Sequence, residues 1–300
     1  MSTTLEREQR GTRASDVPEV RPITDTIGAD IVGLDLENLT PKAIRTFRQA
    51  VLDHCVVRLR GYRIDDDKQV ELGRYIGALT GSSVGRDKDY DWSKKYPELI
   101  VISNIKENGE TIGVLENGEL NWHTDLAFDE VPPSLSLLRA LEVPRVGGNT
   151  GFANMYRALE ALPARLRERI RGLRLKHQRS HDAQGRPRVG YEHLSADDVT
   201  ALPGPDHPII RTHPDTGREA LYLGRRFGGY ILGLPVEEST ALIEELWHYG
   251  TLPENTWHQE WQVGDMMVWD NRATMHRRDN FPAEERRRMH RIVVLGSKPY

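Results

Sequence analysis

Short runs of aliphatic and β-branched residues, most of them bounded by Gly, Pro, Asn or Asp, recur along the 300 residues and leave few ways for the chain to fold. Cys55 to Leu59, Leu99 to Asn104, Leu135 to Ala140, Thr150 to Ala153, Met266 to Trp269 and Arg291 to Leu295 read as strands. Shorter strands are expected on either side of the turn at Ile27-Gly28-Ala29, around Ile209, Ala220 to Leu223 and Tyr230-Ile231, and from Trp257 to Val263. Helical patterns are fewer. Thr40 caps a helix with Pro41 at its first position and Ile44, Phe47, Val51 and Leu52 on its apolar face. Asp65 opens a second helix that runs to Tyr75 or Ile76, and Tyr156 to Arg171 and Glu237 to Tyr249 give two more. There is no internal repeat, phosphate-binding glycine loop or heptad. The pattern predicts a mainly β fold with flanking helices, a sandwich or jelly roll rather than a parallel α/β sheet.

Hydrophobic residues make up 38% of the chain and charged residues 29%, which suits a globular protein with a core. The formal net charge of -4 gives no reason to expect nucleic acid or an anionic membrane as partner. No apolar stretch approaches the roughly 20 residues of a membrane span. The polar N-terminus has no signal-peptide core, so the cytoplasm is the expected compartment. Residues 1–21 read as a flexible tail, and residues 22–300 as a single domain. Residues 105–120, rich in Gly, Glu and Asn, and residues 178–208, without hydrophobic period, read as mobile lid segments. The single cysteine, Cys55, excludes a disulfide framework and a thiolate zinc site. It reads as a small buried hydrophobe. Asp65-Asp66-Asp67 reads as acidic residues at a helix N-terminus, not as a metal site.

Three features carry chemistry. In an extended Trp122-His123-Thr124-Asp125, side chains two apart share a face, so His123 and Asp125 can offer an imidazole nitrogen and a carboxylate oxygen to one ion. A third ligand from elsewhere would complete a facial triad with open positions, which suits oxygen-activating iron(II). His-x-Asp alone is a weak signal, and a second match, His213-Pro214-Asp215, is assigned to a hairpin turn. The second feature is Gly264-Asp265 starting a strand that leads through Trp269-Asp270-Asn271-Arg272 to His276. The third is Arg286-Arg287-Arg288-Met289-His290-Arg291 running into an apolar strand. Alternation puts Arg287 and Arg291 on one face, and Arg286, Arg288 and His290 on the other. Guanidinium groups on the buried face are costly unless an anion meets them. Trp122, Phe152 and Trp269 are expected to pack in the core.

These motifs, with Gly147-Gly148-Asn149-Thr150, give the chain a resemblance to the taurine/2,4-D dioxygenase branch of the Fe(II)/2-oxoglutarate-dependent dioxygenases, from about Ile23 to the C-terminus. The resemblance implies a double-stranded β-helix (jelly roll) with the metal between its sheets. It makes His123, Asp125 and His276 the iron ligands. It assigns Arg287, eleven residues after the distal His, to the far carboxylate of 2-oxoglutarate with Thr150 as its partner, and Arg291 to the substrate. It implies iron(II) as cofactor, 2-oxoglutarate and O2 as co-substrates, and hydroxylation of a C–H bond in a small, anionic substrate, with release of succinate and CO2. A homo-oligomer, dimer or tetramer, is usual for the family. The sequence departs from the taurine-using pattern at Gly81-Ser82-Ser83-Val84-Gly85, where those enzymes carry a His and a Tyr. The alternatives are a zinc hydrolase on the same two-His-one-carboxylate set and a non-catalytic jelly-roll ligand-binding module. Arg287 and Thr150 count against the hydrolase, which needs no dicarboxylate co-substrate.

Overall fold

A computed structural model describes residues 17–81, 95–114, 121–182 and 185–300. In chain order the elements are β1 (Glu19–Pro22), β2 (Ala29–Val32), α1 (Pro41–His54), β3 (Val56–Leu59), α2 (Asp66–Ile76), β4 (Leu79–Thr80), β5 (Ile100–Ser103), β6 (Lys106–Glu107), β7 (Glu110–Thr111), β8 (Leu135–Glu142) and β9 (Thr150–Asn154). They continue with α3 (Met155–Ala161), α4 (Ala164–Ile170), β10 (Arg174–Lys176), β11 (Asp206–Pro208), β12 (Ile210–Thr212), β13 (Glu219–Leu221), β14 (Tyr230–Ile231), α5 (Val236–Gly250), β15 (Thr256–Gln259), β16 (Met266–Asp270), β17 (Thr274–Arg278) and β18 (Arg288–Val294).

Two sheets make the jelly roll. The major sheet runs β1-β2-β3-β16-β8-β18, with β4 and β5 both paired to β18, and the minor sheet runs β15-β9-β17. Strand alternation decides what each face meets. On β16, Met266 and Val268 join a cluster under α1 and α2, while Met267 and Trp269 join the cluster between the sheets. On β8, Leu135 and Leu137 face the helices and Leu138 and Ala140 face inward. Phe152 and Trp269 are fully buried, and Trp122 packs against the same core. Among the described residues no helix is long and apolar enough to cross a membrane.

The helix signals act as expected. Thr40 accepts from the Ala43 amide and Asp65 from the Lys68 amide. Asp66 pairs with Arg139 and hydrogen-bonds His290 Nδ1, and Asp67 pairs with Lys95. Cys55 is fully buried, which pushes its thiol up to about 12.

Four expectations need correction. The expected helix from Tyr156 to Arg171 is two helices, α3 and α4, separated at Leu162-Pro163. Proline has no amide to donate, and it drives the residue before it out of helical conformation. Glu19 to Arg21 are not tail, because β1 pairs antiparallel with β2; residues 1–16 lie outside the described residues. Residues 105–120 are not all loop: β6 and β7 form a hairpin whose turn, Asn108-Gly109, has φ of 52° and 85°. Residues 115–120 lie outside the described residues, as do 82–94 and 183–184. The segment 178–208 is anchored at both ends, with Gln178, Ser180 and His181 buried and Asp206–Pro208 paired to β10.

The loop after β16 is held by a buried ionic network. Asp270 accepts from Arg272 Nε at 2.8 Å, Arg272 Nη2 at 2.7 Å and His213 Nε2 at 3.0 Å. Arg272 Nη1 also donates to Asp215 at 2.7 Å. Burial alone would raise the Asp270 carboxyl, but Arg272 and His213 hold it well below the usual carboxylate range. Removing one partner of such a pair leaves a bare buried charge. Arg272→Met is therefore expected to lower unfolding stability by about 3–5 kcal/mol, read from the urea midpoint at unchanged slope. A loss under about 1 kcal/mol, the scale of an exposed pair, would mean that the network is not structural.

Candidate metal centre and anion pocket

Trp122 to Asp125 run alongside β17. His123 and His276 exchange backbone hydrogen bonds, His123 N to His276 O at 2.9 Å and His276 N to His123 O at 2.8 Å. Thr124 N donates to Gly224 O, and its hydroxyl donates to Thr274 O. Clamped on both sides, the segment points His123 and Asp125 inward, as period-two alternation requires. Leu126, with φ of 50°, then turns the chain away.

His123, Asp125 and His276 converge, with one ligand atom from each within 4.8 Å of the others, and all three are buried. The Nε2 atoms of both histidines lie 3.9 Å from the same oxygen, Asp125 Oδ1. His123 Nδ1 is 2.9 Å from Asn121 O, which fixes the ring and leaves Nε2 turned inward. The rings pack with centroids 4.2 Å apart, and Trp269 lies 4.8 Å from His276. Two imidazole nitrogens and one carboxylate oxygen on one side fit a mid-row divalent metal with open positions.

The carboxylate is held by a chain of side chains. Ser136 Oγ donates to Asp125 Oδ2 at 2.8 Å, Asn271 Nδ2 donates to Ser136 Oγ at 2.9 Å, and Trp269 Nε1 donates to Asn271 Oδ1 at 2.8 Å. Arg291 Nη1 donates to Asp125 Oδ1 at 2.9 Å. Burial alone would raise the Asp125 carboxyl; Arg291, His276, His123 and Ser136 bring it down to about 2. It is therefore ionised, and ready as a ligand, at neutral pH.

Beside the triad, Thr150, Arg278, Arg287 and Arg291 line one pocket with His123 and His276. Arg287 is 4% exposed, has a buried Nε without a hydrogen-bond partner and makes no ion pair among the described residues. Burial and the like charge of Arg278 pull its guanidinium down to about 9. Such a group lacks an anion. The alternation read from the sequence holds: Arg286 and Arg288 turn outward to Glu142, His290 turns to Asp66, and Arg287 and Arg291 turn inward. Thr150 Oγ1 accepts from Trp261 Nε1 at 2.9 Å. Arg291 lines the same pocket but lies against Asp125. His213-Pro214-Asp215 is the turn of the β12-β13 hairpin, as expected, and its side chains serve Asp270 and Arg272.

Sequence reasoning left out Ser136, Asn271 and His213 as positioning residues, and Arg278 in the pocket. Arg278 was within reach of the alternation rule, since it stands two residues after His276 on one strand. Ser136 and His213 carried no comparable signal.

The profile of the "Taurine catabolism dioxygenase TauD, TfdA family" matches residues 19–293. A relative named alpha-ketoglutarate-dependent 2,4-dichlorophenoxyacetate dioxygenase, from Burkholderia sp. (strain RASC), is 32% identical over 268 residues, 87% of this chain and 88% of its own. Among solved structures, a putative alpha-ketoglutarate-dependent taurine dioxygenase from Burkholderia xenovorans superposes with a TM-score of 0.77 at 31% identity, covering 94% of each chain. AAD-2, solved with Mn(II) and N-oxalylglycine, gives a TM-score of 0.76 at 26% identity over 94% of this chain and 99% of its own. The fold and site define a jelly-roll protein with a two-histidine, one-carboxylate centre. The chain belongs to the TauD/TfdA family of 2-oxoglutarate-dependent dioxygenases.

The turn before Thr150 is the most exacting stretch of backbone near the pocket. Gly147 has φ of 76°, and a Cβ there would run into the carbonyl oxygen of Asn280. Gly148 N donates to that same oxygen at 3.1 Å, docking the turn beside the end of β17. Gly147→Ala is expected to cost about 2 kcal/mol or more from backbone strain and overpacking. Thermal denaturation checks this, and an unchanged melting temperature would contradict it.

Proposed function

We propose that the protein is an iron(II)- and 2-oxoglutarate-dependent oxygenase that hydroxylates a C–H bond of a small, anionic molecule. The observation that carries the reading is the conjunction of a buried two-histidine, one-carboxylate set with a buried, anionless Arg287 in one pocket. His123, Asp125 and His276 would hold the metal through Nε2, a carboxylate oxygen and Nε2. Iron(II) bound there supplies oxidation of the substrate C–H bond by O2, coupled to conversion of 2-oxoglutarate to succinate and CO2.

The protein's own residues do the rest. Asp125 brings a negative charge that Ser136 orients and Arg291 balances. A carboxylate at this position fills the third protein site, so hydroxylation is favoured over transfer of a halide. Arg287, with its planar fork, and the Thr150 hydroxyl would grip the distal carboxylate of 2-oxoglutarate and set the chelating end toward the metal. Phe152, Trp269 and Leu138 exclude water from the inner face. Arg291 stands between the metal carboxylate and the pocket, within reach of an anionic group on the substrate. The named Burkholderia relative acts on a carboxylate, 2,4-dichlorophenoxyacetate, which supports an anionic substrate class.

His123→Ala, Asp125→Ala and His276→Ala should each lose bound iron, and with it succinate production, and stay folded at reduced stability, Asp125→Ala most of all because it strands the buried Arg291. Metal analysis and circular dichroism check this. An Asp125→Ala protein turning over 2-oxoglutarate at the parental rate would contradict the triad. Arg287→Lys keeps a charge but loses the two-pronged grip, so 2-oxoglutarate affinity should fall by roughly 1–3 kcal/mol, the scale of a charged hydrogen bond. Arg286→Lys should be nearly silent, and a larger effect there would reverse the assignment. A mass-spectrometric screen of small carboxylates, sulfonates and sulfate esters, with iron(II), ascorbate, 2-oxoglutarate and O2, would identify the substrate by a gain of one oxygen atom matched by succinate. Succinate formation unresponsive to iron would refute the reading.

A further inference from the structure

The threonine in the Arg287 pocket receives a hydrogen bond that restricts what its own proton can do. Thr150 opens β9, is buried, and lines the pocket with Arg287. The Gly147-Gly148 turn before it packs along the stem of Arg287, where a Cβ at Gly148 would lie 3.6 Å from Arg287 Cδ. Thr150 Oγ1 accepts from Trp261 Nε1 at 2.9 Å. An indole N–H can only donate, whereas a hydroxyl has one proton and two lone pairs. The indole therefore occupies a lone pair and leaves the Thr150 proton for another acceptor. The turn that carries Trp261 is pinned at both ends. Arg60 Nη2 donates to Glu260 O at 2.7 Å, and Arg60 Nε donates to Asp265 Oδ1 at 2.9 Å. Asp265 Oδ2 accepts from Gln259 Nε2 and from Gln262 N, both at 2.9 Å. Gln259 is the register partner of Thr150 on β15, so this turn leaves the sheet beside the threonine. The Trp261 ring packs against the core between the sheets, which makes its N–H a fixed donor.

We propose that Trp261 is a positioning residue: it sets the Thr150 hydroxyl as a hydrogen-bond donor to the distal carboxylate of 2-oxoglutarate, the same group that Arg287 meets. The inference rests on the co-substrate reading above and adds a residue which that reading does not use. An unrestrained threonine hydroxyl turns freely and either donates or accepts. Opposite a carboxylate it must donate, and a hydroxyl already bonded through a lone pair is arranged for that before the ligand arrives. Indole, hydroxyl and carboxylate then form one chain with every hydrogen bond running the same way, so each donor polarises the next. The last bond ends on a charged oxygen, which makes it the strongest of the chain. Trp261 thus acts on the ligand only through Thr150.

The test is a double-mutant cycle read by binding rather than turnover. Protein loaded with redox-inert, diamagnetic Zn(II) is titrated calorimetrically with 2-oxoglutarate. Trp261→Phe keeps an aromatic ring and removes the N–H. With Thr150 present it should weaken 2-oxoglutarate by about fivefold, the scale of one hydrogen bond between neutral groups. In Thr150→Val, which keeps the shape and removes the hydroxyl, it should weaken binding no further, and Zn(II) affinity should be the same with Trp261 or Phe. Equal weakening in both backgrounds would reduce Trp261 to a packing role, and no weakening with Thr150 present would remove it from the site; either overturns the proposal. Should Trp261→Phe not fold, the parental protein carries the test. The indole N–H proton resonance of Trp261 should move downfield as 2-oxoglutarate saturates the Zn(II) protein, and a resonance that stays in place would overturn the proposal. Arg287→Gln run in parallel separates the two levels. If Arg287→Gln and Thr150→Val both weaken 2-oxoglutarate while Trp261→Phe does not, only the Trp261 assignment falls. If neither of those two weakens it, the co-substrate reading falls as well.

Discussion

A single carboxylate, Asp125, ties the halves of the jelly roll together. Burial works against its charge, and four groups from separate places answer it: His123 from its own segment, His276 from β17, Arg291 from β18 and Ser136 from β8. Ser136 is oriented in turn by Asn271, and Asn271 by Trp269, on the strand whose end is held through Asp270, Arg272 and His213. A buried carboxylate with one partner removed is strongly destabilising, so each of these elements is held in register by the others. The constraint that makes the fold specific also presents two imidazoles and one carboxylate on one side.

Charge in the pocket is arranged against the trend of the chain as a whole. The net charge is -4, yet Arg278 on β17, Arg287 just before β18 and Arg291 on β18 turn inward beside Asp125. Arg291 is matched by Asp125. Arg287 is not, and burial with Arg278 nearby brings its guanidinium down to about 9. This asymmetry separates a metal-side pair from an anion-seeking side. It orients a molecule with two carboxyl groups: one end toward the divalent centre, the other toward the free cation.

Much of this could be read from sequence because it rests on local rules. Alternation through β18 and the two residues before it sends Arg287 and Arg291 inward and Arg286, Arg288 and His290 outward. Spacing of two places His123 and Asp125 together once the segment is extended. The misses have equally physical causes. The hydrophobic period of residues 156–171 continues through Pro163, but the backbone cannot. Asn108-Gly109 is a hairpin signal, obscured because the flanking strands are polar and exposed. Glu19 to Pro22 form an edge strand held by backbone bonds, with little apolar pattern to announce it. Ser136 is held by Asn271, 135 residues away, and His213 acts on Asp270, 57 residues away, and only the folded topology makes those pairs.

The most direct test of the centre is an anaerobic titration of the iron(II)-loaded protein with 2-oxoglutarate, followed by the visible charge-transfer absorption of a 2-oxo acid chelated to ferrous iron. The arrangement of His123, Asp125, His276, Thr150 and Arg287 predicts that the band appears, saturates at a single equivalent per chain, and shifts when an accepted substrate is added. Fully iron-loaded protein that develops no such band would contradict the assignment of this pocket to 2-oxoglutarate.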